Sequence, residues 1–227
     1  MVRRPAWILV LSACAIGEVE PTPDTTVARV QFAFPIAEPE LIDGLVGVDH
    51  DPEIQESGPW SLVCVDYLDR PFPHCYDEHD GSDFILAGGF PVMDAGSATI
   101  IAAADGVVKF TRDGQYDRCF GTFDGVDCDG HPKVANAVTL EHADGSLSRY
   151  WHMKKDSVAV AVGDQVVRGQ TLGLVGSSGI SSLPHLHFEV EDADGFVVDP
   201  YVPPGEEGSW WCDQGHPDGL PGPCDAP

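Results

Sequence analysis

A mainly β fold is predicted for this chain: antiparallel, sheet-rich, open or barrel-like, and a single domain with disulfide-stapled insertions. Three observations predict it. From Ala102 onward, short runs rich in Val, Ile and Leu alternate with glycines at Gly106, Gly145, Gly163, Gly169, Gly173 and Gly195, the pattern of strands and turns. No long helical period interrupts them. The cysteines after Cys14 fall in close pairs, Cys64 with Cys75, Cys119 with Cys128 and Cys212 with Cys224, which suggests local bridges in an oxidising compartment. No C-x-x-C occurs to favour a thiolate metal site instead.

Taken in chain order, the first segment holds Arg3 and Arg4, the apolar run Ala6 to Val10, and Leu11-Ser12-Ala13-Cys14. It resembles a bacterial lipobox. That resemblance implies a signal peptide over residues 1–13 and acylation of Cys14, giving a protein lipid-anchored to a membrane. Ala15 is not the aspartate associated with inner-membrane retention, so the resemblance implies an outer-membrane lipoprotein facing the periplasm or the cell surface. Residues 14–30, with Pro21 and Pro23, read as a tether, and 31–78 as an N-terminal extension packed on the domain through Phe32 and Phe34. Asp49-His50-Asp51, just before Pro52, reads as a solvated turn. No later segment approaches the length of a transmembrane helix.

His79-Asp80-Gly81-Ser82-Asp83 reads as a turn that lets an imidazole and a carboxylate converge. Phe84 to Ala102 contains Gly88-Gly89-Phe90-Pro91 and Asp94-Ala95-Gly96 and reads as a loop that shapes a groove. Strands are then expected at Val107-Val108, Ala137 to Leu140, Leu147 to Met153, Val158 to Val162, Thr171 to Val175 and His187 to Val190. Ala143-Asp144-Gly145-Ser146 joins two of them, placing His142 at a hairpin end in a structural role. Tyr150 and His152, one residue apart, are expected to share a cleft face while Trp151 and Met153 pack behind. Residues 203–227 form a tail bearing the last cysteine pair.

Pro184-His185-Leu186-His187-Phe188-Glu189 carries the most chemistry. On a strand, His185, His187 and Glu189 share one face while Leu186, Phe188 and Val190 take the other. His187 arriving from a rigid strand would complete a two-histidine, one-carboxylate set with His79 and Asp83. Zinc accepts that set, and three protein ligands leave the fourth tetrahedral position open, as catalytic sites require.

These residues resemble the lysostaphin-type zinc endopeptidases of bacterial cell walls, whose pattern is H-x-G-x-D, then Y-x-H, then H-x-H. Here the three are His79 to Asp83, Tyr150-Trp151-His152 and His185-Leu186-His187, in the family's order. Ala103 to Val107, Asn136 to His142, Val166 to Gln170 and Gly176 to Gly179 look like further family landmarks, so the resemblance covers residues 79–202. It implies zinc ligands His79, Asp83 and His187, a catalytic set of His152 and His185 with Tyr150 assisting, and peptidoglycan as substrate. The connection between Asp83 and Ala103 is longer than is usual in the family. An alternative is a non-catalytic, wall-binding or amidase-activating lipoprotein of the same fold. All five metal and histidine positions are filled here, which favours the enzyme.

Charge narrows the partners. With 12 basic and 37 acidic side chains the formal net charge is −25. Nucleic acid, which requires a basic surface, is excluded as a partner. The same charge opposes adhesion to anionic wall polymers, which leaves localisation to the lipid. The oligomeric state is not specified by any of these features.

Overall fold

The structure, a computed structural model, describes residues 27–54, 58, 62–217 and 219–224. The signal peptide, Cys14 and most of the tether expected from the sequence lie outside the described residues. Among those described, no helix is long and apolar enough to cross a membrane.

The elements in chain order are β1 (Ile42–Val46), β2 (Ser82–Leu86), α1 (Phe90–Ala95), β3 (Thr99–Ile101), β4 (Gly106–Arg112), β5 (Phe120–Thr122) and β6 (Gly125–Asp127). They continue with β7 (Ala137–Glu141), β8 (Leu147–Trp151), β9 (Gln165–Val166), β10 (Thr171–Leu174), β11 (His185–Glu191) and β12 (Val197–Val198). The main sheet runs β1-β2-β11-β8-β7-β4-β9, with β12 also on β11. Every pairing is antiparallel. β1 and β9 are its two ends, so the sheet is open rather than closed into a barrel. β3 pairs with β10, and β5 with β6, in two small satellite sheets.

The period-2 pattern sets the layering. Leu186, Phe188 and Val190 of β11 are fully buried, as are Val138 and Leu140 of β7 and Phe84 of β2. Each such side chain contributes about 1.5–3 kcal/mol by leaving water. Segments from both ends of the chain close this core. Phe32 N–H donates to Trp210 O at 2.7 Å and Cys212 N–H to Phe32 O at 2.8 Å. This places Trp211 and Phe32 with their ring centroids 5.4 and 5.8 Å from that of Phe188.

The cysteines are bridged in adjacent pairs, Cys64–Cys75, Cys119–Cys128 and Cys212–Cys224. Two expectations fail locally. Val158 to Val162 forms no strand: only Ala159 N–H reaches a neighbouring strand, at Leu172 O, while carboxylates take two other amides, Val158 N–H donating to Asp113 Oδ2 at 3.1 Å and Ala161 N–H to Asp164 Oδ2 at 2.9 Å. The stretch read as a loop from Phe84 to Ala102 instead holds the end of β2, then α1 and β3. Pro91 falls in the first turn of α1, and Gly96, with φ +66°, ends it.

Candidate metal centre

Register brings the sequence-predicted residues together. β11 pairs with β2 so that His187 lies level with Asp83. Residues level on antiparallel strands share a face, here the one opposite Phe84 and Phe188. Asp83 therefore sits on a strand rather than in the turn, and the turn delivers only His79. A 2.9 Å approach to the Phe188 carbonyl and 2.6 Å to the His187 ring is what a Cβ on Gly81 would meet, so only glycine lets the chain pass beneath that imidazole.

His79 Nε2 lies 3.1 Å from His187 Nδ1 and 3.2 Å from Asp83 Oδ1, and His187 Nδ1 lies 2.8 Å from Asp83 Oδ1. All three residues are buried. A tetrahedral ion with bonds of about 2.0–2.1 Å holds its ligand atoms about 3.3 Å apart, so this triangle has the dimensions of one coordination face. The outer contacts fix which nitrogen faces the centre. His79 Nδ1–H donates to Gly47 O at 2.6 Å, freeing Nε2. His187 Nε2 lies 3.3 Å from Asp80 Oδ1, freeing Nδ1. Such carboxylate and carbonyl supports are usual behind metal-binding histidines.

The electrostatics suit a cation. Burial alone would push the Asp83 carboxyl up, but the surrounding His185, His79 and His187 imidazoles hold it well below the usual carboxylate range. Burial pulls His187 down, yet hydrogen bonds to Asp80 and Asp83 outweigh it and raise it to about 10. Asp80, His187 and Glu189 form a second group of potential donors. Glu189 is already held by Arg149 Nη1 at 2.8 Å, so the group reads as support for His187.

Two further histidines face the triangle. His152 Nδ1–H donates to Ser178 O at 2.6 Å and His185 Nδ1–H to Leu183 O at 2.7 Å, so both point Nε2 inward. Their ring centroids are 4.6 Å apart. His185 Nε2 is buried and lies 3.3 Å from Asp83 Oδ1 without hydrogen-bond geometry. Burial, then the nearby His185 and His187 charges, push His152 well down, which keeps it neutral.

Tyr150 does not join them. It is fully buried beside Phe188, and its hydroxyl accepts from Ala103 N–H at 2.8 Å and lies 3.2 Å from Ser148 Oγ. Ser148 in turn contacts His142, so Tyr150 and His142 belong to one polar cluster inside the core. The expected alternation is reversed because β8 ends at Trp151. His152 has φ +62°, which breaks the alternation and turns its ring into the cleft. Trp151, not Tyr150, lies level with His187.

Sequence reasoning missed Tyr76. Its ring stacks on His79 with centroids 4.0 Å apart, and its hydroxyl donates to Asp83 Oδ2 at 3.3 Å. Partial burial and the Asp83 and Asp80 charges push this phenol far up, so it stays a donor. By occupying Oδ2 it leaves Asp83 one oxygen for an ion. Bridged Cys75 precedes it, a signal that a fixed side chain follows. Tyr76→Phe is expected to keep the fold but weaken metal affinity by about tenfold or more. Competition with a chelator measures this, and unchanged affinity would count against the role. Asp49 was read as part of a solvated turn, but it accepts from Val65 N–H at 3.1 Å and Glu78 N–H at 3.0 Å, tying the approach to His79 in place.

The chain is similar in sequence to several known proteins. The peptidoglycan DD-endopeptidase ShyA of Vibrio cholerae is 34% identical over 112 residues, 49% of this chain and 20% of that protein. The DD-carboxypeptidase/endopeptidase Mpg of Neisseria meningitidis is 33% identical over 124 residues, 54% of this chain and 22% of that protein. The chain thus spans about a fifth of the length of these relatives. Among solved structures, a mutant catalytic domain of the prophage-encoded M23 protein EnpA from Enterococcus faecalis shares 26% identity at a TM-score of 0.40, covering 67% of this chain and 97% of that one. Residues 78–200, more than half of the sequence and the whole of the histidine and aspartate constellation, match peptidase family M23, and the chain belongs to that family.

Proposed function

We propose that the protein is a zinc metalloendopeptidase that hydrolyses the peptide stems or cross-links of bacterial peptidoglycan. One observation carries the reading: His79 Nε2, Asp83 Oδ1 and His187 Nδ1 form a triangle 2.8–3.2 Å on a side, with the inward Nε2 atoms of His152 and His185 beside it. Two nitrogens and one carboxylate oxygen suit zinc, and the face left open suits water or a substrate carbonyl. Relatives named as peptidoglycan endopeptidases support the substrate.

His79, Asp83 and His187 would hold the zinc, which would supply Lewis-acid chemistry for the scissile carbonyl and for water. The chain's own residues supply the rest. His152, held neutral by burial, accepts a proton through Nε2, while the Ser178 carbonyl keeps its tautomer fixed. His185, oriented by Leu183 O, is the group assigned to stabilise the oxyanion. Asp80 and Tyr76 hold His187 and Asp83 in orientation, with His187 Nδ1 and Asp83 Oδ1 turned toward each other.

The lipobox-like Leu11-Ser12-Ala13-Cys14 supports anchoring through Cys14, at the outer membrane, within reach of the wall. Incubating the zinc-loaded protein with purified peptidoglycan and identifying released fragments by mass spectrometry tests the activity. Peptides derived from cross-links are expected; sacculi left intact across a range of pH and zinc concentrations would overturn it.

A further inference from the structure

Arg112 lies on the face of the sheet that carries the metal centre. It is level with Ala137 across β4 and β7. Val138 is level with Tyr150, which sets Ala137 beside Trp151. Trp151 is level with His187, and His187 with Asp83. Arg112, Trp151, His187 and Asp83 therefore form one row across the sheet. With strands about 4.8 Å apart, Arg112 stands about 14 Å from His187 along that row. A parallel row holds Phe110, Thr139, Arg149 and Glu189.

Side-chain contacts place Arg112 near the histidine pair independently of register. Its Nη1 lies 3.4 Å from Ala135 O. Ala135 packs so tightly on Gly179 that a Cβ there would come within 2.8 Å of its nitrogen. Gly179 follows Ser178, whose carbonyl orients His152.

Its charge is unanswered. Arg70, Arg118 and Arg149 each hold a carboxylate, whereas among the described residues Arg112, like Arg29 and Arg168 elsewhere on the surface, holds none, and of these three it alone stands on the row of the metal centre. The adjacent carboxylate, Asp113, is engaged elsewhere, accepting from the amides of Gly114, Asp156 and Val158. The guanidinium rests 5.0 Å over the Phe110 ring, which fixes its plane and leaves its edge to bind. Between it and the metal centre, Trp151 Nε1 is buried without a hydrogen-bond partner, a donor suited to a ligand carbonyl.

We propose that Arg112 is a carboxylate-binding position in the substrate groove, selecting peptides with an acidic group about four residues from the bond cleaved. An extended chain advances about 3.3 Å per residue, so four residues span the row. Planar, two-pronged recognition of a carboxylate is what arginine does best. This rests on the peptidase reading above and adds the chemical class of the substrate.

The test uses the full zinc-loaded protein and pairs of synthetic peptides that differ only in a carboxylate or its carboxamide, four residues to either side of the scissile bond. Calorimetry should show the acid of one pair binding about tenfold more tightly than its amide. Arg112→Gln should erase the difference with zinc content unchanged, and Arg112→Lys should retain part of it. Equal binding of acid and amide by the wild type, or an undiminished preference in Arg112→Gln, overturns the proposal. Cleavage of the same peptides reports separately: acid preference without cleavage removes the peptidase reading and leaves Arg112 standing, and cleavage without preference does the reverse.

Discussion

His187→Ala is expected to strip the protein of zinc and of peptidase activity together. Two ligand atoms would remain, and the cleft would lose the imidazole that Asp80 and Asp83 hold between them. Loss of a supporting partner behind a ligand typically costs ten- to hundredfold in metal affinity, so removing the ligand itself should cost more than about a hundredfold. Elemental analysis after dialysis measures it; full zinc occupancy with unaltered affinity would mean that the ligands are assigned wrongly. Acid should mimic the substitution in part. Without the metal, His187 holds its proton up to about 10, and binding at Nδ1 must displace it. Apparent zinc affinity should therefore rise with pH and weaken as pH falls.

His152→Ala and His185→Ala should separate chemistry from metal binding. Neither imidazole belongs to the triangle, so each variant should keep one zinc per chain. Turnover should nonetheless fall by about a hundredfold or more, the scale of losing a positioned acid-base group. Zinc content and muropeptide release measured on the same preparations distinguish this from misfolding. Near wild-type turnover in both variants would remove the proposed mechanism. Tyr150→Phe belongs to a different category: its hydroxyl caps Ala103 N–H inside the core, so any effect should register in stability before it registers in turnover.

The convergence of His79, Asp83 and His187 is legible in the sequence because its geometry is written in short spacings. His185-Leu186-His187 alternates on a strand, and Gly81 marks the close passage beneath an imidazole. What escaped depends on backbone torsion and long-range packing. The positive φ at His152 leaves no trace in Tyr150-Trp151-His152, so period-2 reasoning assigned Tyr150 and Trp151 to the wrong faces. Tyr76 and Asp49 act through contacts that a folded loop creates, and neither lies within a motif. The apolar run from Val158 to Val162 had a strand's composition, but Asp113, far away in sequence, claims its first amide. The glycines and Pro91 around α1 were read as loop residues although they also start and stop a short helix.

Phe188 has a further consequence for how this chain can be divided. It follows His187 directly, and its ring rests against Phe32 and Trp211, both outside the stretch that matches the family. Excising residues 78–200 would leave the reverse side of the strand that bears His187 facing water, even though His79, Asp83 and His187 would all be present. The unit that inherits chemistry is thus shorter than the unit that folds. Grafting this domain onto another scaffold would require the flanking segments around Phe32 and Trp211 to travel with it.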